Sequence, residues 1–309
     1  MKAIRVHQFG GPEVLKYEDA PRPVPAADEV LIKVYASGMN PVDWKMRAGL
    51  AESLFPIQLP FIPGWDVSGE IEEVGSDILI FKKGYEVYGR PDVTRDGTYA
   101  EYVAVKANQI NFKPKSINHD KASAVPLAGL TAWQGLFDYG HLEEGQKVLI
   151  HAAAGGVGSF AVQLAKWKGA YVIGTSSEEN IDFLFDLGAD EALDYKTVKF
   201  EDRLKDVDLV FDLIGGDTQQ RSLKIIKKGG RLITTVQPKY QEEAKANDIH
   251  MEVFMTQSLP EELEQLGNLI DSGKIKPVVT RTFPLKDAAE AQKEIEKGHT
   301  RGKMVLTVV

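Results

Sequence analysis

One segment, Lys147-Val148-Leu149-Ile150-His151-Ala152-Ala153-Ala154-Gly155-Gly156-Val157-Gly158, limits the folds open to this chain more than any other. It reads as a buried strand that enters a turn of small residues and leaves as a helix. A dinucleotide-binding fold needs small residues there for three reasons. The turn is tight, the backbone must approach a pyrophosphate closely, and the helix must pack against its strand. Against the usual G-x-G-x-x-G, Ala153 replaces the first glycine, while Gly155 and Gly158 stand in place. Ala154, Gly155, Gly156 and Val157 are the candidate pyrophosphate contacts, at the positive end of the helix.

The surrounding rhythm supports that reading. Strand patterns fall at 147–153, 171–175, 191–193, 208–213, 230–236 and 250–254, with helical patterns such as 158–168 and 178–187 between most of them. Alternation of this kind implies a doubly wound parallel sheet. The first third is different. Val30, Ile32 and Val34 alternate with period two, 98–105 does the same, and Gly and Pro punctuate at the spacing of a small β-rich barrel or sandwich. The stretch 121–139 reads as one long helix that tolerates Pro126 or kinks there. After Leu259 a helix, a strand at 276–283, a helix at 286–297 and a strand at 303–308 read as a return to the first domain. The expected domains are therefore 1–118 completed by 260–309, and 119–259.

An NAD site carries Asp or Glu about 20 residues beyond the glycine turn, where it holds the ribose 2′-hydroxyl. Here the second strand ends Gly174-Thr175-Ser176-Ser177, with no carboxylate at its tip. Hydroxyls there would donate to a 2′-phosphate, so the expected cofactor is NADPH. Ser176-x-x-Glu179 also reads as a helix capping box.

Composition removes other classes. There are no cysteines, which excludes disulfides, thiolate metal sites and cysteine nucleophiles. The six histidines (His7, His119, His141, His151, His250 and His299) form no metal-binding spacing. The net charge of −8 argues against a nucleic-acid surface. No apolar run reaches the roughly 18 residues of a membrane span, and the polar N-terminus carries no export segment. A cytoplasmic location is the expectation.

The chain resembles the medium-chain dehydrogenase/reductase superfamily, in its zinc-free quinone oxidoreductase branch. The resemblance rests on Asn40-Pro41-Val42-Asp43-Trp44-Lys45, Ile62-Pro63-Gly64-Trp65-Asp66-Val67-Ser68-Gly69 and Leu127-Ala128-Gly129-Leu130-Thr131-Ala132-Trp133. The glycine turn, Leu187-Gly188-Ala189-Asp190 with Asp194-Tyr195, and Gly302-Lys303-Met304-Val305-Leu306 complete it. The fold it implies is a GroES-like β-rich barrel domain built from both chain ends, with a Rossmann domain inserted. Asn40, Trp65 and Leu127 resemble the three zinc-ligand positions of the zinc alcohol dehydrogenases, and none is a good zinc ligand.

The resemblance also implies site roles. Asn40 and Thr131 match contacts near the nicotinamide, and Lys45 matches a cofactor-contacting lysine. Tyr195 matches the tyrosine beside the 2′-phosphate. Arg301, Gly302 and Lys303 match the segment that closes over the cofactor. Asn180 stands where NADPH-specific relatives often carry Lys, and Ala51 where some quinone and enoyl reductases carry Tyr. Phe55, Phe61 and Trp65 are candidate aromatic walls for a flat substrate. No general acid is evident. The activity implied is hydride transfer from NADPH to a quinone or an α,β-unsaturated carbonyl, without metal, by a homodimer. The alternatives are a catalytically weak NADPH-binding protein and an enoyl-thioester reductase.

Overall fold

The chain opens on an antiparallel pair, β1 (Lys2–Val6) and β2 (Leu15–Asp19). The computed structural model describes residues 1–92, 94–298 and 300–309. In β3 (Glu29–Gly38) the alternation is explained by burial. Val30, Ile32 and Val34 join Val67, Ile71, Phe81, Val87, Val103, Val105 and Ile110 in one core. Helix α1 (Pro41–Arg47) starts where it does because Pro41 suits a first helical position and the Asn40 N–H is taken by Asp43 Oδ2 at 2.7 Å. Strands β4 (Val67–Val74), β5 (Glu86–Gly89), β6 (Tyr102–Lys106) and β7 (Ile110–Phe112) follow. The strand expected over 98–105 is shorter than its alternation suggested. Ladder pairing begins at Tyr102, and Ala100 before it makes a single bridge to Ala3.

The long helix expected over 121–139 is three pieces: α2 (His119–Ser123), α3 (Pro126–Trp133) and a π-helical turn over Gln134–Asp138. Pro126 lacks an N–H and disfavours helical geometry in the residue before it, so the helix stops and restarts. The restart is capped from outside, since the Leu127 N–H donates to Asp66 Oδ1 at 2.7 Å.

The glycine turn then joins β8 (Lys147–Ile150) to α4 (Gly156–Trp167). Beyond it come β9 (Tyr171–Ser176), α5 (Ile181–Asp186), β10 (Glu191–Asp194), β11 (Val207–Asp212), α6 (Asp217–Leu223), β12 (Ile226–Thr234), α7 (Gln241–Ala246) and β13 (His250–Val253). The six strands pair in the order β10-β9-β8-β11-β12-β13, parallel throughout. Val148, Leu149 and Ile150 are fully buried, as the central strand of a sheet covered on both faces requires. All six expected strands are present, with ends moved by a few residues.

The closing elements are α8 (Pro260–Asp271), β14 (Val279–Pro284), α9 (Ala288–Glu296) and β15 (Lys303–Thr307). Strand β15 pairs antiparallel with β3 and parallel with β14, which returns the chain end to the first sheet. The result is a GroES-like β-rich domain plus a doubly wound Rossmann domain.

The chain divides into a terminal unit (Met1–Leu130, Ser258–Gly273, Pro277–Val309) and an inserted unit (Thr131–Gln257, Lys274–Lys276). The boundary lies later than the expected 118. Ala124, just after α2, packs with Ala36 and Val305 of β3 and β15, so residues 119–130 group with the terminal unit. Among the described residues no helix is long and apolar enough to cross a membrane.

Candidate active site

In the terminal unit a buried cation organises the polar core. Lys303, 4% exposed, leads β15 and donates from Nζ to the Met39 carbonyl at 2.8 Å, to Asn40 Oδ1, and to Asp66 Oδ2 at 3.3 Å. Asn40 Nδ2 donates to the same Asp66 oxygen at 2.8 Å. Asp66 is fully buried, and its other oxygen caps α3 through Leu127. Three ammonium donors meet three acceptors, and the Asn40 amide is engaged at both ends. The Lys303 ammonium is thus held inside the unit by three acceptors.

A second buried group adjoins it. Asp43 Oδ2 accepts from the Asn40 N–H and from the Tyr99 hydroxyl at 2.9 Å, while Oδ1 is buried without a partner among the described residues. Burial pushes the Asp43 carboxyl up to about 7, against the opposing pull of those two hydrogen bonds. Burial likewise raises the Tyr99 phenol, reinforced by the neighbouring Asp43. Arg47, 2% exposed, ties α1 to α9 through Gln292 Oε1 at 2.9 Å and through Glu296.

The three candidate aromatic walls fall in one core cluster. Phe61 and Trp65 are buried in the core of the terminal unit. Phe55 is partly buried and meets Trp65 edge-on at 5.2 Å. Lys45 is exposed, with its Nζ 5.8 Å from the Trp44 ring. Arg301 is exposed, and its carbonyl accepts from Thr280 Oγ1 at 2.8 Å. Gly302 has φ of +57°, and a Cβ there would lie 2.5 Å from the Val278 carbonyl, so no other residue fits without strain.

In the inserted unit the glycine turn has the geometry its sequence called for. A Cβ on Gly158 would meet the Ala152 carbonyl at 2.3 Å, which is the close helix–strand approach that only glycine allows. Gly155 precedes α4 and, as a glycine, brings no side chain to cap that N-terminus. Gly155, Gly156 and Val157 are partly accessible, while Ala154 is buried. These residues fit a pyrophosphate. Thr131 shares its hydroxyl with Thr256 at 2.7 Å.

At the ends of β9 and β10 the structure brings Ser176, Ser177, Asn180 and Tyr195 together. Asp194 pairs with Ser176 across the ladder, and the Tyr195 N–H donates to the Ser176 carbonyl at 3.1 Å. Asn180 Nδ2 donates to Ser177 Oγ at 3.0 Å, and Ser177 Oγ donates to Glu179 at 2.9 Å. Tyr195 is 50% exposed, and the Lys196 ammonium lies 5.9 Å from its ring. The expected capping box does not form. Ser176 is still in the strand and donates to the Ser177 carbonyl, which leaves Ser177 before a short 3₁₀ turn.

Of the described histidines, His7, His141 and His250 are exposed, while His119 is partly buried and His151 lies inside. His151 is buried between Thr175 and Ser222, and burial lowers it to about 4. His119 bridges Ser68 and Glu86. His299 lies outside the described residues. Sequence reasoning missed Asp43, Asp66, Tyr99, Arg47, Arg90 and Lys196. Only Asp43 carried a local signal, an acid three residues after a capping Asn.

Comparison with known proteins agrees with this architecture. Residues 26–115 match the family described as alcohol dehydrogenase GroES-like domain, and residues 187–306 that described as zinc-binding dehydrogenase. The quinone oxidoreductase of Mus musculus is 36% identical over 99% of this chain and 97% of its own. Among solved structures, the quinone oxidoreductase from Coxiella burnetii superposes with a TM-score of 0.94 at 37% identity, covering 100% of this chain and 99% of that one. The Escherichia coli quinone oxidoreductase complexed with NADPH gives 0.90 at 29%, covering 99% and 100%. The chain belongs to the medium-chain dehydrogenase/reductase superfamily, in its zinc-free quinone oxidoreductase branch. It is an oxidoreductase.

The zinc in the second family's description does not fit the residues present. Trp65 offers only an N–H, Leu127 offers no donor, and Asn40 Oδ1 already accepts from an ammonium. A cation of the protein's own stands among the oxygens.

Proposed function

We propose that this oxidoreductase transfers hydride from NADPH to a quinone or an α,β-unsaturated carbonyl, without a metal. Lys303 carries the reading. It neutralises Asp66 and engages Asn40, so the site needs no divalent ion for charge balance and offers none a ligand set. The kinship with quinone oxidoreductases supports the acceptor class.

When bound, NADPH supplies hydride from C4 of its nicotinamide. The chain's own residues do the rest. The first-turn N–H groups of α4, with Ala154, Gly155, Gly156 and Val157, hold the pyrophosphate. Ser176, Ser177, Asn180 and Tyr195 hold the 2′-phosphate, and Lys196 supplies the cation that Asn180 does not. Asn40 and Lys303 form a rigid polar floor, with Lys45, Thr131, Arg301 and Gly302 as the further cofactor contacts.

Charge-assisted hydrogen bonds to a phosphate contribute about 1.5–3 kcal/mol each. Tyr195→Phe and Ser177→Ala should each weaken NADPH roughly ten- to a hundred-fold and leave NADH unchanged, as read by calorimetric titration. Ser177 sits at the low end, because its hydroxyl must first leave Glu179. Equal losses for both dinucleotides would mean that these residues only shape the strand ends.

The function is tested by screening quinones, enals and enones for oxidation of NADPH. Turnover of conjugated acceptors and poor turnover of saturated aldehydes is the expected result. Tight NADPH binding with no acceptor turned over would favour a binding protein instead.

A further inference from the structure

Arg90 follows β5 directly, and its hydrogen bonding is unfinished. Nη1 donates to Ser258 Oγ at 2.9 Å, and Ser258 Oγ donates back to the Arg90 carbonyl at 2.8 Å. The guanidinium is thereby clamped, with its carbon 5.4 Å from the centre of the Trp65 ring, inside cation–π range. Trp65 in turn meets Phe55. Yet Nε is buried and finds no partner among the described residues.

Nor is the charge matched locally. Asp66 and Asp92 act on Arg90 only through space. Asp66 is already neutralised by Lys303, and Asp92 accepts from the backbone and hydroxyl of Thr94. Burial disfavours the charged guanidinium, but arginine keeps its proton under these conditions.

A buried donor without a partner is rare in folded proteins and needs a reason. A rigid cation beside aromatic rings, with an unused N–H, is built for an oxygen on which negative charge develops. It also answers what replaces a Lewis acid in this terminal unit.

We propose that Arg90 binds the carbonyl oxygen of the acceptor and stabilises the oxyanion formed as hydride arrives. The inference rests on the hydride transfer proposed above. Hydride passes from C4 of NADPH to the electrophilic carbon, so NADPH is oxidised to NADP⁺ and the acceptor is reduced by two electrons. The π pair shifts onto the oxygen, giving an enolate from an enone, or from a quinone the oxyanion of the hydroquinone's keto tautomer, which then loses its new C–H proton to water and becomes the hydroquinone. Arg90 donates a hydrogen bond to that oxygen and keeps its own proton. Water protonates the product afterwards. The residue also sets specificity, since it selects acceptors whose oxygen can reach the guanidinium.

The test uses the full chain with NADPH and 9,10-phenanthrenequinone. Arg90→Gln should lower kcat by about 10²–10³, the cost of removing one such donor, with the NADPH Kd changed less than about twofold. Arg90→Lys should recover at least about tenfold over the Gln variant, since it restores the charge. If Arg90→Gln does not fold, Ser258→Ala frees the guanidinium without removing it. That variant should lower kcat about tenfold at unchanged NADPH affinity. A kcat within threefold of wild type in the folded Gln variant, or in Ser258→Ala where Gln does not fold, overturns the role of Arg90 alone. So does a parallel loss of NADPH binding. A wild-type enzyme that binds NADPH but reduces no conjugated acceptor overturns the proposed function and this inference together.

Discussion

Replacing Lys303 by Met will destabilise the terminal unit by about 3–5 kcal/mol, the usual cost of leaving one charge of a buried pair alone. The side chain is 4% exposed and its partner Asp66 is fully buried, so water cannot take over the lost contacts. Methionine keeps the length and volume, which isolates the charge from a cavity effect. At this chain size the loss corresponds to roughly 6–20 °C in the melting temperature. The double variant Lys303→Met with Asp66→Asn should be more stable than Lys303→Met, because the stranded carboxylate is gone. Additive losses in that cycle would mean that the two groups do not act as a pair. A loss under about 1 kcal/mol for Lys303→Met would mean that the cation is dispensable.

The second large effect is a pH dependence centred on Asp43. Its carboxyl lies at about 7 in the folded protein because burial outweighs its two hydrogen bonds. In the unfolded chain it returns to about 4. Between those values the folded state holds a proton that the unfolded state has lost, so this group's contribution falls as pH rises through the window. Below about 4 it is fully present, and above 7 it is gone. From pH 5 to pH 8 the loss amounts to about 3 kcal/mol, at 1.36 kcal/mol per unit.

His151 acts in the opposite sense, since burial lowers it to about 4 and the folded state binds fewer protons up to its unfolded value. The two contributions oppose each other below pH 6.5, which is why a single curve for the whole chain is a poor readout. The difference between wild type and Asp43→Asn, followed by hydrogen exchange at the Tyr99 and Asp43 amides, removes His151 from the comparison. That difference should shift toward the variant by about 3 kcal/mol between pH 5 and pH 8. A constant difference would show that Asp43 does not titrate in this range.

These two predictions concern groups that the sequence did not announce, and the reason is physical. Short-range rules were enough for the strand–turn–helix at 147–158 and for the six parallel strands, because period and small-residue spacing are local. They were enough, too, for Ser176 and Ser177 at the end of the second strand, whereas Asn180 and Tyr195 came only from the family resemblance, and the side-by-side ends of adjacent parallel strands bring all four together. Lys303 is 263 residues from Asn40 and 237 from Asp66, and no local pattern reports such a pairing. Read as a motif, Lys303 looked like part of a cofactor-closing segment. Its burial against Asp66 was not legible there.

The helix over 121–139 failed for a related reason. Apolar periodicity continues across Pro126, but the backbone cannot, and the Asp66 carboxylate rewards the break by capping the restart. At Ser176 the capping pattern was present, yet the strand holds that residue one position too long for its hydroxyl to cap. Arg90 gave no signal at all, because an unpaired buried N–H is a property of the fold rather than of the residues beside it.

Metal-free hydride transfer from NADPH to a conjugated carbon is the central claim, and isotope tracing tests it most directly. Enzyme dialysed exhaustively against a chelator is given [4,4-²H₂]NADPH and cyclohex-2-enone, and the product is read by NMR. The account predicts full turnover, one deuterium on the β-carbon of the saturated ketone, and a primary isotope effect when transfer limits the rate. Product without deuterium at that carbon, or turnover that returns only when zinc is restored, would contradict it.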